Sequence, residues 1–559
     1  MAKSDCPVCS KGANLKADVI ILGCSLPGIV TANKLKRKFG NTMDIIVLDL
    51  AGVSKVVSKC NVAFQDTMPG SSSASNSEDD SDIDTDLESW QMDDKLKVDT
   101  IARHYLIKYA KEFRVPVPGA IINPMKHGSP LNKLFQHRNG STVPCTNHFN
   151  DFDYLNYAER FELNQYQNYL DESMKRLFKT NTFADPKERK ILFFYDQTTM
   201  EKSISDTLIF HTSREIMRTN VKLMCGAPAN TVSLLFFLHQ CYRTNGMRHH
   251  IDGQNTRLRE KLLGYCRKRL ASQLQKDIAD ITLPAKAIKN IRTYSEADAD
   301  QVVLETKMGD TIICNSLAVA LKPDQLQTID VDDQLMPEQK SALTEGFTPG
   351  KAKKFVIQYQ ERFWAEKGYS GDILSLRGPI IWAIERPNLS LTGSVEKYAA
   401  LIGYLMVKDD ENTTDSKDAV LEQLTNLFGP EAAEPVTYRE TAIADIFVPQ
   451  CGDYVGLRVL TNEVCPKGLE WGAFDMFAEG DVAAALEAGH TAYLHLLSCL
   501  RPQAQTFEDI SAIYWPVCLD NTELNWWLAH VNILSTMKVT ACTAAVGLGI
   551  KLIRMYFRR

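Results

Sequence analysis

Ala17 to Leu50 reads ADVIILGCSLPGIVTANKLKRKFGNTMDIIVLDL. The apolar strand Val19 to Leu22 runs into Gly23-Cys24-Ser25-Leu26-Pro27-Gly28. A helix-like stretch follows, and a second apolar strand, Ile45 to Leu48, ends on Asp49. Strand, glycine turn, helix, strand and terminal carboxylate form the layout of a dinucleotide-binding βαβ unit. In such a turn the first glycine makes the bend and the third lets helix pack on strand. The middle one lets a pyrophosphate approach the backbone. Gly23 and Gly28 hold the outer two places, and Ser25 holds the middle one. The scaffold is predicted to be intact and the phosphate cradle to be compromised.

Working outward, a chain of 559 residues has room for two or more domains. Its 44% hydrophobic and 24% charged residues are ordinary for a folded, soluble protein. A net charge of -6 gives no reason to expect nucleic-acid binding. Fourteen cysteines lie scattered without a framework, and the first residues, MAKSDCPVCSKGANLK, lack an apolar signal core. Reduced thiols facing a cytosol are expected. Cys6 and Cys9 form a single CxxC with no further ligands at zinc spacing, so a flexible terminus is expected there and no metal. The eleven histidines show no metal spacing, and no Ser-His-Asp or P-loop constellation occurs.

Ser71 to Asp94, SSSASNSEDDSDIDTDLESWQMDD, cannot bury enough apolar surface to offset its ordering entropy and is predicted to be disordered. Ser71, Ser73, Ser75 and Ser77 precede dense acid, so phosphorylation by acid-directed kinases and a plain solvated spacer are both open. Helices are predicted over Thr100 to Phe113, within Asn150 to Lys179, over Thr231 to Cys241, and over Asp481 to Leu497. Asn290 to Ala320 reads as a β-meander: Val302-Val303-Leu304 and Thr311-Ile312-Ile313 flank the turn Lys307 to Asp310, and Leu317 to Leu321 follows as another strand. Lys354 to Tyr359 is a further strand. Trp526 to Ile550 is apolar except for His530 and Lys538, and Lys551, Arg554, Arg558 and Arg559 follow. With Lys538 snorkelling, this reads as a membrane anchor, the alternative being an amphipathic helix docked on the body or a membrane surface.

In this order the pieces resemble the monoamine oxidases of the flavin amine oxidase family. The βαβ unit is one. Thr231 to Cys241 is similar to an aromatic helix that also ends in Gln-Cys. Ile281 to Pro323 has the Leu283-Pro284 turn, a hairpin carrying Val303 to Thr306, and Ala320-Leu321-Lys322-Pro323. Gly350 to Phe355, continuing through Tyr359 to Phe363-Trp364, looks like the family's Gly-x-x-x-Lys strand ending in Phe-Trp. Phe477-Ala478-Glu479-Gly480 and Glu487-Ala488-Gly489 resemble the helix that caps the flavin. The resemblance implies an α/β, FAD-linked amine oxidase-like fold. Its parts are a Rossmann-type dinucleotide-binding domain, an inserted mixed α+β substrate-type domain, and a C-terminal helical membrane tail. The expected division is a flexible terminus (1–16), the FAD-type domain in three parts (17–70, 241–321, 441–501), an acidic insert (71–98), the substrate-type domain in two parts (99–240, 322–440), a linker (502–525) and the tail anchor (526–559).

The resemblance further implies FAD as cofactor, held through Gly23, Ser25, Gly28, Asp49, Glu479 and Gly480, and an amine as substrate. Asp49 stands where the family has a ribose-binding Glu. An Arg-x-Gly-Gly-Arg loop over the flavin is absent from Ala51 to Asp66. Cys451 lies at nearly the distance of the family's flavin-linking cysteine, so a covalent link and an ordinary loop thiol are both open. The tyrosine beside that cysteine, one wall of the amine cage, corresponds to Gly452, and the other wall to Phe477. The flavin-facing lysine falls at Thr328, with Lys322 the only lysine nearby. Trp471 to Met476 replaces a longer flavin-contacting stretch. The departures fall on cofactor and chemistry while scaffold segments survive. The expected protein is a monoamine-oxidase-like one with a degenerate flavin site, acting through interaction or regulation at the mitochondrial outer membrane, facing the cytosol. An active FAD-dependent amine oxidase releasing peroxide is the first alternative, and a binder resembling the Rab GDP-dissociation inhibitors the second.

Overall fold

A computed structural model describes residues 13–50, 101–113, 115, 131–146, 148–178, 183, 186–243, 265–284, 287–296, 299–332, 342–343, 345–350, 352–386, 398–406, 416–443, 446–476, 482–506 and 509. The βαβ unit forms as the sequence predicts. Strand β1 (Ala13–Leu22) leads through the glycine turn into helix α1 (Leu26–Phe39), and β2 (Ile45–Asp49) returns parallel to β1, with Val19 opposite Ile45 and Leu22 opposite Leu48. Strand Thr311–Val319 lies parallel on the other side of β1, Thr282–Pro284 parallel beyond β2, and Leu469–Glu470 parallel on Thr311–Val319. A strand buried on both faces reads as a continuous apolar run, and Val19 to Leu22 are fully buried.

The meander Ile288–Glu296, Ala299–Thr306 and Thr311–Val319 extends this sheet antiparallel. Gly309, at a φ of 90°, makes the predicted turn. One expectation is corrected here. Leu317 does not open a separate strand, because Thr311–Val319 runs unbroken. Cys314 and Ser316 pair with Ala17 and Val19 of β1, and this ladder carries the strand through Asn315 despite the turn propensity of Asn and Ser.

A second, seven-stranded sheet runs in the order Thr437–Ile443, Ala352–Tyr359, Ala399–Leu405, Ile380–Glu385, Tyr369–Ser375, Asn132–Gln136, Thr142–Cys145. The predicted strand Lys354 to Tyr359 is its second member. Predicted helices shift at their ends toward residues that can cap them. Asn156 accepts from the Glu159 amide and starts Tyr157–Leu177. Ser233 accepts from the Phe236 amide and starts Leu234–Arg243. The helices Ile101–Glu112 and Val482–Leu500 fall where the pattern places them. Helix Val482–Leu500 closes the first domain by lying on α1. There Thr31 Oγ1 donates to the Gly489 carbonyl at 2.9 Å, and a Cβ on Gly489 would lie 2.5 Å from the Pro27 carbonyl oxygen.

Among the described residues no helix is long and apolar enough to cross a membrane. The predicted anchor (526–559), the acidic insert and the CxxC lie outside the described residues, as do Phe477, Glu479 and Gly480.

Candidate functional site

The glycine turn sits where β1, α1 and the end of Thr311–Val319 converge. Gly23 has a φ of 107°, in the left-handed region that favours glycine, and a Cβ there would lie 2.4 Å from the Ala320 carbonyl oxygen. A Cβ on Gly28 would lie 2.4 Å from the Ala320 Cβ. Both glycines are therefore required by Ala320, whatever is bound. Ser25 is under no such constraint. It is the N-cap of α1, at φ -66° and ψ 158°, and its hydroxyl makes no capping bond. Its Oγ is buried without a hydrogen-bond partner. The sequence reading treats Ser25 as an obstruction. In the structure it is an unsatisfied donor at a helix N-terminus, where an anion is favoured. Pro27 removes one first-turn donor, leaving the amides of Leu26 and Gly28.

Asp49, at the end of β2, reaches back to this turn. The Cys24 thiol donates to its carboxylate, and burial, followed by the Asp49 charge, pushes that thiol up to about 12. The carboxylate expected to meet a ribose thus also fastens the turn.

Between the start of α1, residues 472–476, helix Tyr454–Asn462 and the closing helix lies a cavity of about 80 Å³. Its wall is small along one side (Gly472, Ala484, Ala485, Ala488) and charged along the other. Arg243 at the end of helix Leu234–Arg243 pairs with Glu487 at 2.9 Å. Arg267 pairs with Asp475 at 2.6 Å, both nearly fully buried. Arg458 lies over the Phe183 ring at 5.5 Å, and its Nε is buried with no partner. Below it, His239 Nδ1 shares a short bond with the Tyr454 hydroxyl. Burial and the nearby Arg458 and Arg243 charges hold His239 neutral, well below its usual range. Sequence reading missed this basic lining. Its one legible trace is a basic residue closing the aromatic helix, since the ion pairs join residues hundreds of positions apart.

Cys451 faces elsewhere. Its thiol donates to the Asp196 carbonyl at 2.9 Å, and burial, then the Asp196 and Asp453 charges, raise it. A thiol held protonated is a poor nucleophile. Asp196, fully buried, accepts from the Val455 amide at 3.0 Å and so caps helix Tyr454–Asn462; burial raises its carboxyl to about 6. Gly452, at a φ of 105°, borders open space: a Cβ there would meet nothing within 4 Å. Thr328 is exposed just after a one-turn helix, and its hydroxyl donates to the Gln325 carbonyl. Lys322 is the N-cap of that turn. The structure thus brings Gly23, Ser25, Gly28 and Asp49 together at the turn, of which Pro27 alone lines the cavity, and Cys451, Gly452 and Thr328 are also off that lining.

Two buried donors are unsatisfied within the chain: the Ser25 hydroxyl at the start of α1, and the Arg458 Nε on the wall of the cavity that Pro27 also lines. They fit the diphosphate of a dinucleotide. A cavity of 80 Å³ among the described residues is small for its ring system, because ligand sites run to about 300 Å³ or more.

A family model described as flavin containing amine oxidoreductase matches residues 262–445. The chain is 25% identical over 278 residues to a probable flavin-containing monoamine oxidase A of Dictyostelium discoideum, covering 48% of this chain and 58% of that one. It is 20% identical over 322 residues to amine oxidase [flavin-containing] B of Homo sapiens, covering 56% and 58%. The chain therefore spans somewhat over half the length of these curated relatives. Among solved structures it resembles cyclohexylamine oxidase from Brevibacterium oxydans IH-35A, with a TM-score of 0.58 at 17% identity, covering 87% of this chain and 99% of that one. It also resembles a putrescine oxidase bound to putrescine, with a TM-score of 0.57 at 15% identity, covering 86% and 98%. At these identities the structural likeness is one of fold.

Proposed function

We propose that this chain, a divergent member of the flavin-containing amine oxidase family, holds a flavin dinucleotide weakly and non-covalently and does not turn over amines. The observation that carries this reading is the split within the site. The start of α1 offers Ser25 Oγ and its first-turn amides, with Arg458 Nε on the wall of the adjoining cavity, whereas the described positions implied for chemistry, Cys451, Gly452 and Thr328, offer nothing to a reacting amine. Gly452 has no ring face to present, the Cys451 thiol is engaged by Asp196, and Thr328 points its hydroxyl back to Gln325. When bound, a flavin supplies the acceptance of two electrons from an amine. The residues here would hold its diphosphate, with Asp49 toward the ribose, and Gly452 leaves one wall of the amine cage missing.

The role that follows is interaction or regulation, at the cytosolic face of the mitochondrial outer membrane through residues 526–559. Support for the location is the apolar run and basic end of that segment. The test is flavin content together with peroxide release. Protein from a flavin-replete host is expected to carry substoichiometric flavin that acid releases, and to form no peroxide from a panel of monoamines and polyamines. Stoichiometric or acid-stable flavin, or peroxide production abolished by heat denaturation, overturns the reading.

A second reading, a working amine oxidase with a non-covalent flavin, is favoured by one observation: the unpaired donors at the diphosphate end, which an apo-protein has no use for. The same peroxide assay separates the two.

A further inference from the structure

Helix Pro186–Asp196 carries apolar side chains on both of its faces. The inner face is Leu192, Tyr195 and Asp196, all buried. Three bonds seat that face. Arg176 donates to the Tyr195 hydroxyl at 2.6 Å, the Asp196 carboxylate takes the Val455 amide, and the Asp196 carbonyl takes the Cys451 thiol. The outer face runs through Lys187, Lys190, Ile191 and Phe194, the i, i+3, i+4, i+7 spacing of one helical stripe. Ile191, Phe193 and Phe194 are 49%, 41% and 70% exposed. Single apolar residues on a surface are ordinary, but three within four positions of one helix form a patch. None of them lines the cavity beside α1.

The chemistry around the patch selects what covers it. Lys187 and Lys190 are exposed on the same stripe, and Arg176 is exposed at the end of the neighbouring helix. Glu188 is the one exposed acid of helix Pro186–Asp196. The apolar side chains are thus flanked by net positive charge, which complements an anionic surface. An isologous contact with a second copy would set Lys187 and Lys190 against their own copies. Phe194 stands too far out for a neighbouring element to form a groove around it, so a peptide finds no wall to grip. A projecting apolar ridge with lysines along its flank suits the headgroup layer of a bilayer, where the ammonium groups stay at the phosphates.

We propose that helix Pro186–Asp196 lies on an anionic lipid surface, with Ile191, Phe193 and Phe194 inserted at the boundary of headgroups and acyl chains and with Lys187 and Lys190 on the lipid phosphates. The proposal stands on this helix alone and does not require an anchor at 526–559. One short helix of this kind gives reversible binding, so it orients a body at a membrane rather than retaining it there. Because its inner face is bonded to the start of helix Tyr454–Asn462, the contact fixes which side of the body looks at the lipid.

The full chain is mixed with vesicles of phosphatidylcholine alone, or of phosphatidylcholine and phosphatidylserine in equal parts. Side-chain oxidation by hydroxyl radicals is then read by mass spectrometry. On the anionic vesicles, oxidation of Phe193 and Phe194 is expected to fall about threefold or more relative to Met308, 72% exposed on the Gly309 hairpin, and to recover in high salt. In Phe194→Glu, Phe193 is expected to stay as reactive with anionic vesicles as without them. Phe194 is exposed, so loss of folding is not expected to mask this result. Phe193 and Phe194 that stay reactive on anionic vesicles overturn the proposal, and if the chain still pellets with those vesicles, the contact belongs to 526–559. Equal protection on uncharged vesicles overturns it too. So does protection without vesicles, whether it rises with protein concentration, which assigns the patch to a second copy, or vanishes on deletion of 71–98, which assigns it to the acidic insert.

Discussion

At the residue scale, the glycine turn separates what the fold needs from what a ligand needs. Adding a methyl at Gly23 or Gly28 drives it to 2.4 Å from Ala320, and at Gly23 it also imposes left-handed strain. Gly23→Ala and Gly28→Ala are expected to destabilise by about 2–4 kcal/mol, from overpacking plus, at Gly23, the cost of a positive φ. Chemical denaturation of flavin-free protein checks this. Ser25→Ala should behave in the opposite way. It removes a buried hydroxyl with no partner, so the flavin-free protein is expected to be unchanged or up to about 1 kcal/mol more stable. Dinucleotide affinity, read by flavin fluorescence titration, should fall about tenfold if that hydroxyl meets a phosphate oxygen. A melting temperature that drops on Ser25→Ala would mean that the hydroxyl already serves the fold.

At the element scale, helix Tyr454–Asn462 is seated by Asp196. The folded-state carboxyl titrates at about 6, above its usual 3.8, so the folded protein binds the proton more tightly than the unfolded chain. The associated stability is fully present below pH 4 and is lost as pH rises through 6. A shift of this size corresponds to at most about 3 kcal/mol. Asp196→Asn keeps an oxygen for the Val455 amide and cannot ionise, so urea midpoints of the variant should lose the pH 4–6 slope of the parent. An unchanged slope would assign it to another group.

Elements were legible where a local pattern decides them. The βαβ unit, the Gly309 hairpin and the Ala352–Tyr359 strand all carry period and turn chemistry within a few residues. Helix Pro186–Asp196 and the Asp196 cap were not, since the cap joins residues far apart in sequence. The charged lining of the cavity is illegible for the same reason: nothing near Arg243 announces Glu487, and nothing near Arg267 announces Asp475.

At the scale of the whole molecule, two sheets contribute to one core cluster, each has a further cluster of its own, and the chain crosses between them repeatedly, the arrangement the family resemblance implies. That resemblance made the fold readable from scattered short motifs. It could not make the chemistry readable, because fold and function are lost independently. The membrane attachment proposed for residues 526–559 is tested on the entire chain. Truncation at Met537 is expected to move the protein from the membrane pellet to the supernatant while leaving flavin content unchanged, read by fractionation and absorbance. Truncated protein that still pellets with membranes would remove the anchor from 526–559.

The contact of Gly23 and Gly28 with Ala320 bears on how such a chain changes over time. Two of the three fingerprint glycines are policed by the neighbouring strand, so a lineage that stops using its cofactor still keeps them. The third is policed only by the ligand and is free to drift. A fingerprint of this kind ages unevenly, and its middle letter records the history of binding while its outer letters record only the history of folding.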